Sequence, residues 1–309
     1  MRQLTTFNLF ILCILFNLTG LSAQEETTDT AGPWKTGGTI GINFNQVALS
    51  NWAGGGAGTF AMGGLLSLTG DYKEAGSHWS NEFGAGYGFT KVGDQNFRKS
   101  DDKLTLVSKY DYTVSRLNAT DKYAVSRLLY SALLDFRTQF TDGLDYEELD
   151  TAGNPTRISR FLAPGYLNFG LGGTWKPNQY FEALVAPISN RLIIVLEDDL
   201  SAVGAFGVDR GEKIKSELGA LSRLKFTKEI VENVTLGSKL NLFGPYNDIT
   251  TIVVNWETLL SMKVNDYITT SISLDVIYDE SVEINRNDGT IGPATQVKEA
   301  LNIGFGYAL

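Results

Sequence analysis

The stretch Leu301-Asn302-Ile303-Gly304-Phe305-Gly306-Tyr307-Ala308-Leu309 puts a large apolar side chain at every odd position and a small or polar one between. This is a period of two, the repeat of a strand with one apolar face and one nearly bare face. A soluble antiparallel sandwich could carry such a strand. Glycine on the bare face, with an apolar residue in last place, points instead to the closing strand of a bacterial outer-membrane barrel, greasy side to lipid and small side to a crowded lumen. Leu301, Ile303, Phe305, Tyr307 and Leu309 are then expected to face the outer-membrane lipid and to be the signal read by the outer-membrane assembly machinery.

The same alternation recurs back along the chain. Ile40, Ile42 and Phe44 alternate with Gly41, Asn43 and Asn45; Phe83, Ala85, Tyr87 and Phe89 alternate with Glu82, Gly84, Gly86 and Gly88. Further strands are expected at about 60–72, 103–113, 123–140, 161–175, 180–194, 214–227, 234–243, 252–264, 268–279 and 297–309, with the first opening at Trp34. The fold expected is all-β: a closed antiparallel transmembrane barrel of about twelve strands over residues 34–309. The weakest of these strands is 180–194, because Pro187 cannot donate to a ladder and alternation lapses over Leu192 to Val195. Connections alternate in length: 73–76, 176–179 and 228–233 are short, whereas 141–159, 197–213 and 280–296 are long and polar, as extracellular loops are.

Charge sorts by parity. Leu128, Tyr130, Leu134, Phe136, Leu224, Phe226, Leu240, Trp256 and Ile272 share the proposed lipid face, while Lys109, Asp111, Arg127, Asp135, Arg137, Glu217, Arg223, Lys239, Glu257, Lys263 and Asp275 fall on the other. A charge on the lipid face costs about 2–4 kcal/mol at mid-membrane, so these belong in the lumen. There Asp135 with Arg137, or Glu217 with Arg223, are expected to pair and plug it.

The N-terminus is consistent with export. Arg2, the apolar run Leu9 to Phe16, Gly20 and the small pair Ser22-Ala23 lay out a signal peptide over 1–23, followed by a polar leader, 24–33, expected to be disordered in the periplasm. The only cysteine, Cys13, leaves with that signal, which removes disulfide and thiol chemistry. The formal charge of −9 makes nucleic acid an improbable partner.

Little in the chain suggests catalysis. His78-Trp79-Ser80-Asn81 contains the sole histidine, two residues from a serine on one strand face, and is similar to the His-x-Ser-Asn of outer-membrane phospholipase A. The glycine and basic residues that follow there are replaced by Glu82-Phe83, so a lipid hydrolase using His78 and Ser80 is the outlying reading. The acidic residues Asp145, Glu147, Glu148, Asp150, Asp198 and Asp199 lack the ligand spacing of a calcium loop, and no metal or cofactor is expected.

The segment 43–56, which contains Asn51-Trp52 followed by glycines, resembles the N-terminal signature of the outer-membrane barrel family designated domain of unknown function 3078. Asp199-Leu200 and Gly204 to Gly211 are similar to it as well. The resemblance implies a barrel from Trp34 to Leu309 and carries no activity. Asn51 and Trp52 read more simply as a hairpin turn and an interface anchor than as a ligand site. Three functions stay open: a structural or assembly component with a side-chain-filled lumen that binds an outer-membrane protein partner, a narrow diffusion or uptake channel, and a lipid-active enzyme.

Overall fold

A computed structural model describes residues 32–49, 57–117, 126–248, 251–265, 267–286 and 290–308. The expected signal peptide (1–23), all but the end of the leader (24–33), Asn51, Trp52 and Leu309 lie outside them. The strands are β1 (Trp34–Val47), β2 (Thr59–Glu74), β3 (Ser77–Val92), β4 (Arg98–Leu117), β5 (Ser126–Thr138), β6 (Gly143–Leu149), β7 (Pro155–Ser159), β8 (Gly165–Lys176), β9 (Phe181–Ile194), β10 (Ile214–Val231), β11 (Val234–Pro245), β12 (Val253–Lys263), β13 (Ile268–Tyr278), β14 (Ile284–Asn285), β15 (Ile291–Gly292) and β16 (Gln296–Ala308). Twelve of them close a barrel in the order β1-β16-β13-β12-β11-β10-β9-β8-β5-β4-β3-β2; β6-β7 and β14-β15 are separate hairpins within connections.

The barrel is greasy outside and charged inside. Tyr130, Leu218, Ile303 and Phe305 are 62–68 % exposed, whereas Asp111, Asp135, Arg191 and Arg223 are at most 5 % exposed. A soluble protein has the reverse arrangement; this one fits a lipid solvent, and the chain is an integral outer-membrane barrel. Aromatic clusters mark the two edges of the apolar band. Trp34 packs against Tyr72 and Trp79 at one end, and Phe60 packs with Phe44, Phe89 and Phe97 at the other. Ten residues of strand separate Trp34 from Phe44, about 33 Å, which becomes roughly 25 Å of height at a typical barrel tilt.

Turn chemistry sets the ends. Ala75 (φ 46°) and Gly76 (φ 89°) form the two-residue link between β2 and β3, and Asn233 (φ 63°) helps turn β10 into β11. The long connections all emerge at the other, extracellular end. The one between β9 and β10 is not the solvated polar loop its composition suggests. It forms α1 (Asp198–Val203) and a single turn of 3-10 helix, Ala205–Gly207, then folds into the mouth, where Leu200 and Val208 pack on Ala163, Ile193 and Val195 with Tyr166 and Phe206 alongside.

Pro187 lies inside β9 after all, accommodated by a bulge. The register shifts there against both β8 and β10, so Leu184 and Ala186 point inward before it and Ser189, Arg191 and Ile193 after it, while Pro187 and Ile188 both stay outside. On the adjacent strand a Cβ at Gly172 would lie 2.0 Å from the Val185 carbonyl oxygen, so only glycine admits the kinked backbone.

Candidate functional site

The lumen has two unlike halves. Around β4, β5 and β8 to β11 many inward side chains are large and paired, although the buried Asn241 Nδ2 has no hydrogen-bond partner among the described residues. Near the periplasmic end Asp111 binds Lys109 at 2.9 Å and Lys176 at 3.3 Å, accepts from the Ser131 hydroxyl at 2.6 Å, and Glu182 binds Lys176 at 2.8 Å and also Lys109. At mid-height Asp135 takes Arg137 at 3.1 Å and also Arg223, whose Nε donates to the Asn241 side-chain oxygen at 2.6 Å. Leu133, Leu184, Ala186, Leu221, Phe243 and Val253 fill the space beside them. Toward the mouth Arg191 joins Glu217 (3.2 Å) to Asp279, and Lys215 binds Glu217 at 3.1 Å. Glu217 therefore does not form the pair with Arg223 that its spacing suggests: its partners are Arg191 on the neighbouring strand β9 and Lys215 on its own strand, whereas Asp135 does take Arg137 as expected. Each pair offsets a desolvation cost of several kcal/mol per ion.

Above this half Arg157 and Arg160 both hold Glu197, at 2.5 and 2.7 Å, and both reach Asp142. This ties the β6-β7 hairpin to the connection that caps the mouth. The hydrogen bond to Glu197 pushes the Arg160 pKa above its ordinary value.

Around β1, β2, β3, β13 and β16 many inward positions carry little bulk, Gly41, Gly63, Gly84, Gly86, Gly88, Ser271, Ser273, Ala300, Gly304 and Gly306 among them, with Leu65 the large apolar exception. What the missing side chains leave is a cavity of about 900 Å³. A second, of about 580 Å³, lies under the mouth against Phe206, Asp279 and Val282. Both are lined by Asp101, Lys103, Glu257, Asp275 and Lys298, which thus form a charged waist between them. Glu257 is its centre, holding Lys103 at 2.9 Å, Arg137 at 3.3 Å and Lys239 at 3.4 Å, while Lys298 binds Asp101 at 2.5 Å. With both signs present and neutralised, the waist suits small polar or zwitterionic groups better than a bare ion of either charge.

Of the charges read from parity, Lys109, Asp111, Asp135, Arg137, Glu217, Arg223, Lys239, Glu257 and Asp275 lie in these clusters or the waist. Arg127 and Lys263 are exposed at the periplasmic ends of β5 and β12. Lys103, Lys176, Glu182 and Lys298 share the inward parity and were legible in the same way; Arg191 was hidden by the Pro187 bulge, and Asp279 lies past the end of β13. His78 and Ser80 both face inward, but His78 Nε2 pairs with Asp71 at 2.5 Å and the Ser80 hydroxyl donates to the Lys109 carbonyl at 3.4 Å. Serine and histidine are thus engaged elsewhere. Leu301, Ile303 and Phe305 stand outward, and Tyr307 is paired in register with Ile40.

Comparison with known proteins finds the family model "Protein of unknown function (DUF3078)" matching residues 44–144, in keeping with the resemblance carried by the segment 43–56. No curated protein matches the chain. Among solved structures, an outer membrane channel from Pseudomonas putida F1 is similar at 11 % identity and TM-score 0.40, covering 89 % of this chain and 95 % of its own. The translocator domain of the autotransporter NalP from Neisseria meningitidis is similar at 11 % identity and TM-score 0.32, covering 89 % and 88 %. The TodX monoaromatic hydrocarbon channel, as a deletion mutant, stands at 9 % and 0.32, covering 90 % of each chain.

Proposed function

We propose that this outer-membrane barrel is a narrow uptake channel for small solutes, which pass along the bare half of its lumen. The observation that carries this is the pair of cavities meeting at the Glu257 waist, because a purely structural barrel has no need to forgo side-chain bulk on five neighbouring strands. The packed half acts as a fixed wall, and the capped mouth limits the size of what enters. Planar-bilayer recording of the refolded protein tests it: discrete conductance steps are expected, and a silent, correctly folded barrel overturns it. The paired charges and the apolar cluster favour a second reading, a structural or assembly component with a closed lumen that contacts an outer-membrane protein partner; silence in the bilayer together with a co-purifying partner is its signature. In either case the outward row of β16 is proposed to face lipid and to be read by the assembly machinery. A lipid hydrolase using His78 and Ser80 is disfavoured because these two side chains spend their hydrogen bonds on Asp71 and on backbone rather than on each other.

A further inference from the structure

The barrel is closed by its weakest junction. Backbone pairing of β1 with β16 runs from Thr39↔Ala308 to Asn43↔Gly304 and stops. Above that rung Phe44 to Val47 remain paired with β2 and residues 296–303 with β13, but not with each other. Among the described residues these two edges have no backbone partner on the facing side over four residues, about 13 Å of strand. Because Phe44 belongs to the upper aromatic cluster, this slit stands in the extracellular half of the membrane band.

Hydrocarbon does not tolerate strand edges with unpaired N–H and C=O groups, and irregular backbone persists at membrane depth only where it lines protein or a wet cavity. Here the larger cavity meets the slit, with Asn43, Phe44 and Asn45 on one jamb and Leu301, Asn302 and Ile303 on the other. The lower corner is fastened. Asn43 Nδ2 donates to Asn302 Oδ1 at 2.6 Å where the rungs end, and a Cβ at Gly304 would lie 2.9 Å from the Ile42 carbonyl oxygen, so glycine lets the last rung close. Chemistry along the cavity is graded: Lys103, Lys239 and Lys298 with Asp101, Glu257 and Asp275 line its inner part as paired charges of both signs, and Phe44, Leu301 and Ile303 stand outward at the slit.

We infer that the β1–β16 seam is a lateral portal, at which a single-chain amphiphile with a zwitterionic head keeps that head among the paired lysines and carboxylates of the lumen and passes its hydrocarbon chain into the bilayer between Phe44 and Ile303. The inference rests on the channel reading for how the molecule reaches the cavity.

The test closes the slit. Val47→Cys with Ala300→Cys, in a Cys13→Ser background, places thiols on the two jambs above the Asn43–Asn302 bond. The protein, reconstituted in nanodiscs, is exposed to a lysophosphatidylcholine bearing a diazirine at the end of its acyl chain, irradiated, and mapped by peptide mass. With the thiols reduced, label is expected on β1 and β16 beside the slit; oxidation should lower it several-fold while heat-modifiability stays the same. Asn302→Ala, which releases the corner, should raise the label. Equal labelling in open and closed forms, or none in either, overturns the portal, as does an unchanged yield in Asn302→Ala if the cysteine pair fails to fold. Closure-dependent labelling by a barrel that conducts nothing supports the portal and sinks the channel reading alone.

Discussion

Asp135 on β5 and Arg223 on β10 meet across the lumen although 88 positions separate them in the chain. Arg137 binds the same carboxylate at 3.1 Å, so removing Asp135 takes the carboxylate from Arg223 and leaves Arg137 with Glu257 alone. Breaking a buried pair from one side costs about 3–5 kcal/mol, whereas an apolar replacement of both partners is often neutral. Asp135→Ala should therefore unfold at clearly lower urea in micelles, and Asp135→Leu with Arg223→Met should recover part of the loss. A single variant as stable as the parent would show that the pair contributes nothing.

At the waist, replacing Glu257 by Gln leaves Lys103, Arg137 and Lys239 without their shared anion. Reversal potentials in a salt gradient are expected to shift toward anion preference, without loss of the conductance steps. A shift toward cations, or none, would place the selective charges elsewhere.

On the closing strand, Phe305→Asp and Asn302→Asp add the same charge on opposite faces. Phe305 is 67 % exposed on the outer wall, and a charge there should cost up to about 2 kcal/mol and reduce outer-membrane levels. Asn302 already presents an oxygen to the Asn43 amide, which an aspartate oxygen can replace, so that variant should insert nearly normally. Equal levels of the two would refute the face assignment.

Topology is testable with single cysteines. Gly153, at the tip of the β6-β7 hairpin, should react with an impermeant thiol reagent on intact cells, while Asn178, in the short β8–β9 turn, should react only after the envelope is opened. The opposite pattern would invert the barrel.

The β6-β7 hairpin should respond to acid. Asp150 accepts the backbone N–H groups of Asn154 and Ala152, each at 2.8 Å, and these bonds, led by Asn154, hold its carboxyl below the ordinary range. A depressed folded pKa means the ordering is fully present above the unfolded value of about 4 and fades as pH falls through the lower folded one. Pepsin nicking of the hairpin should accordingly rise with acidification in the parent and lose that dependence in Asp150→Asn.

Strand number and the two faces follow from the chain itself, since each rests on a local period of two that lipid on one side and a polar lumen on the other make unforgiving. Leu301, Ile303 and Phe305 needed no neighbours to declare their side, nor did Asp135 or Glu257. Partners did need neighbours. Which cation meets Asp135, why Glu217 binds Arg191, and that Leu200 and Phe206 turn into the mouth depend on strand register and curvature, which bring together residues scores of positions apart. The Pro187 bulge shows the limit most plainly: one extra residue reverses the faces beyond it, so Arg191 reads outward from its spacing and lies inward in the fold. The bare half of the lumen is of the same kind, because a glycine in one strand says nothing of a void until five strands place theirs side by side. The open seam is decided later still, by how far two strands at opposite ends of the chain run alongside one another once the barrel has closed.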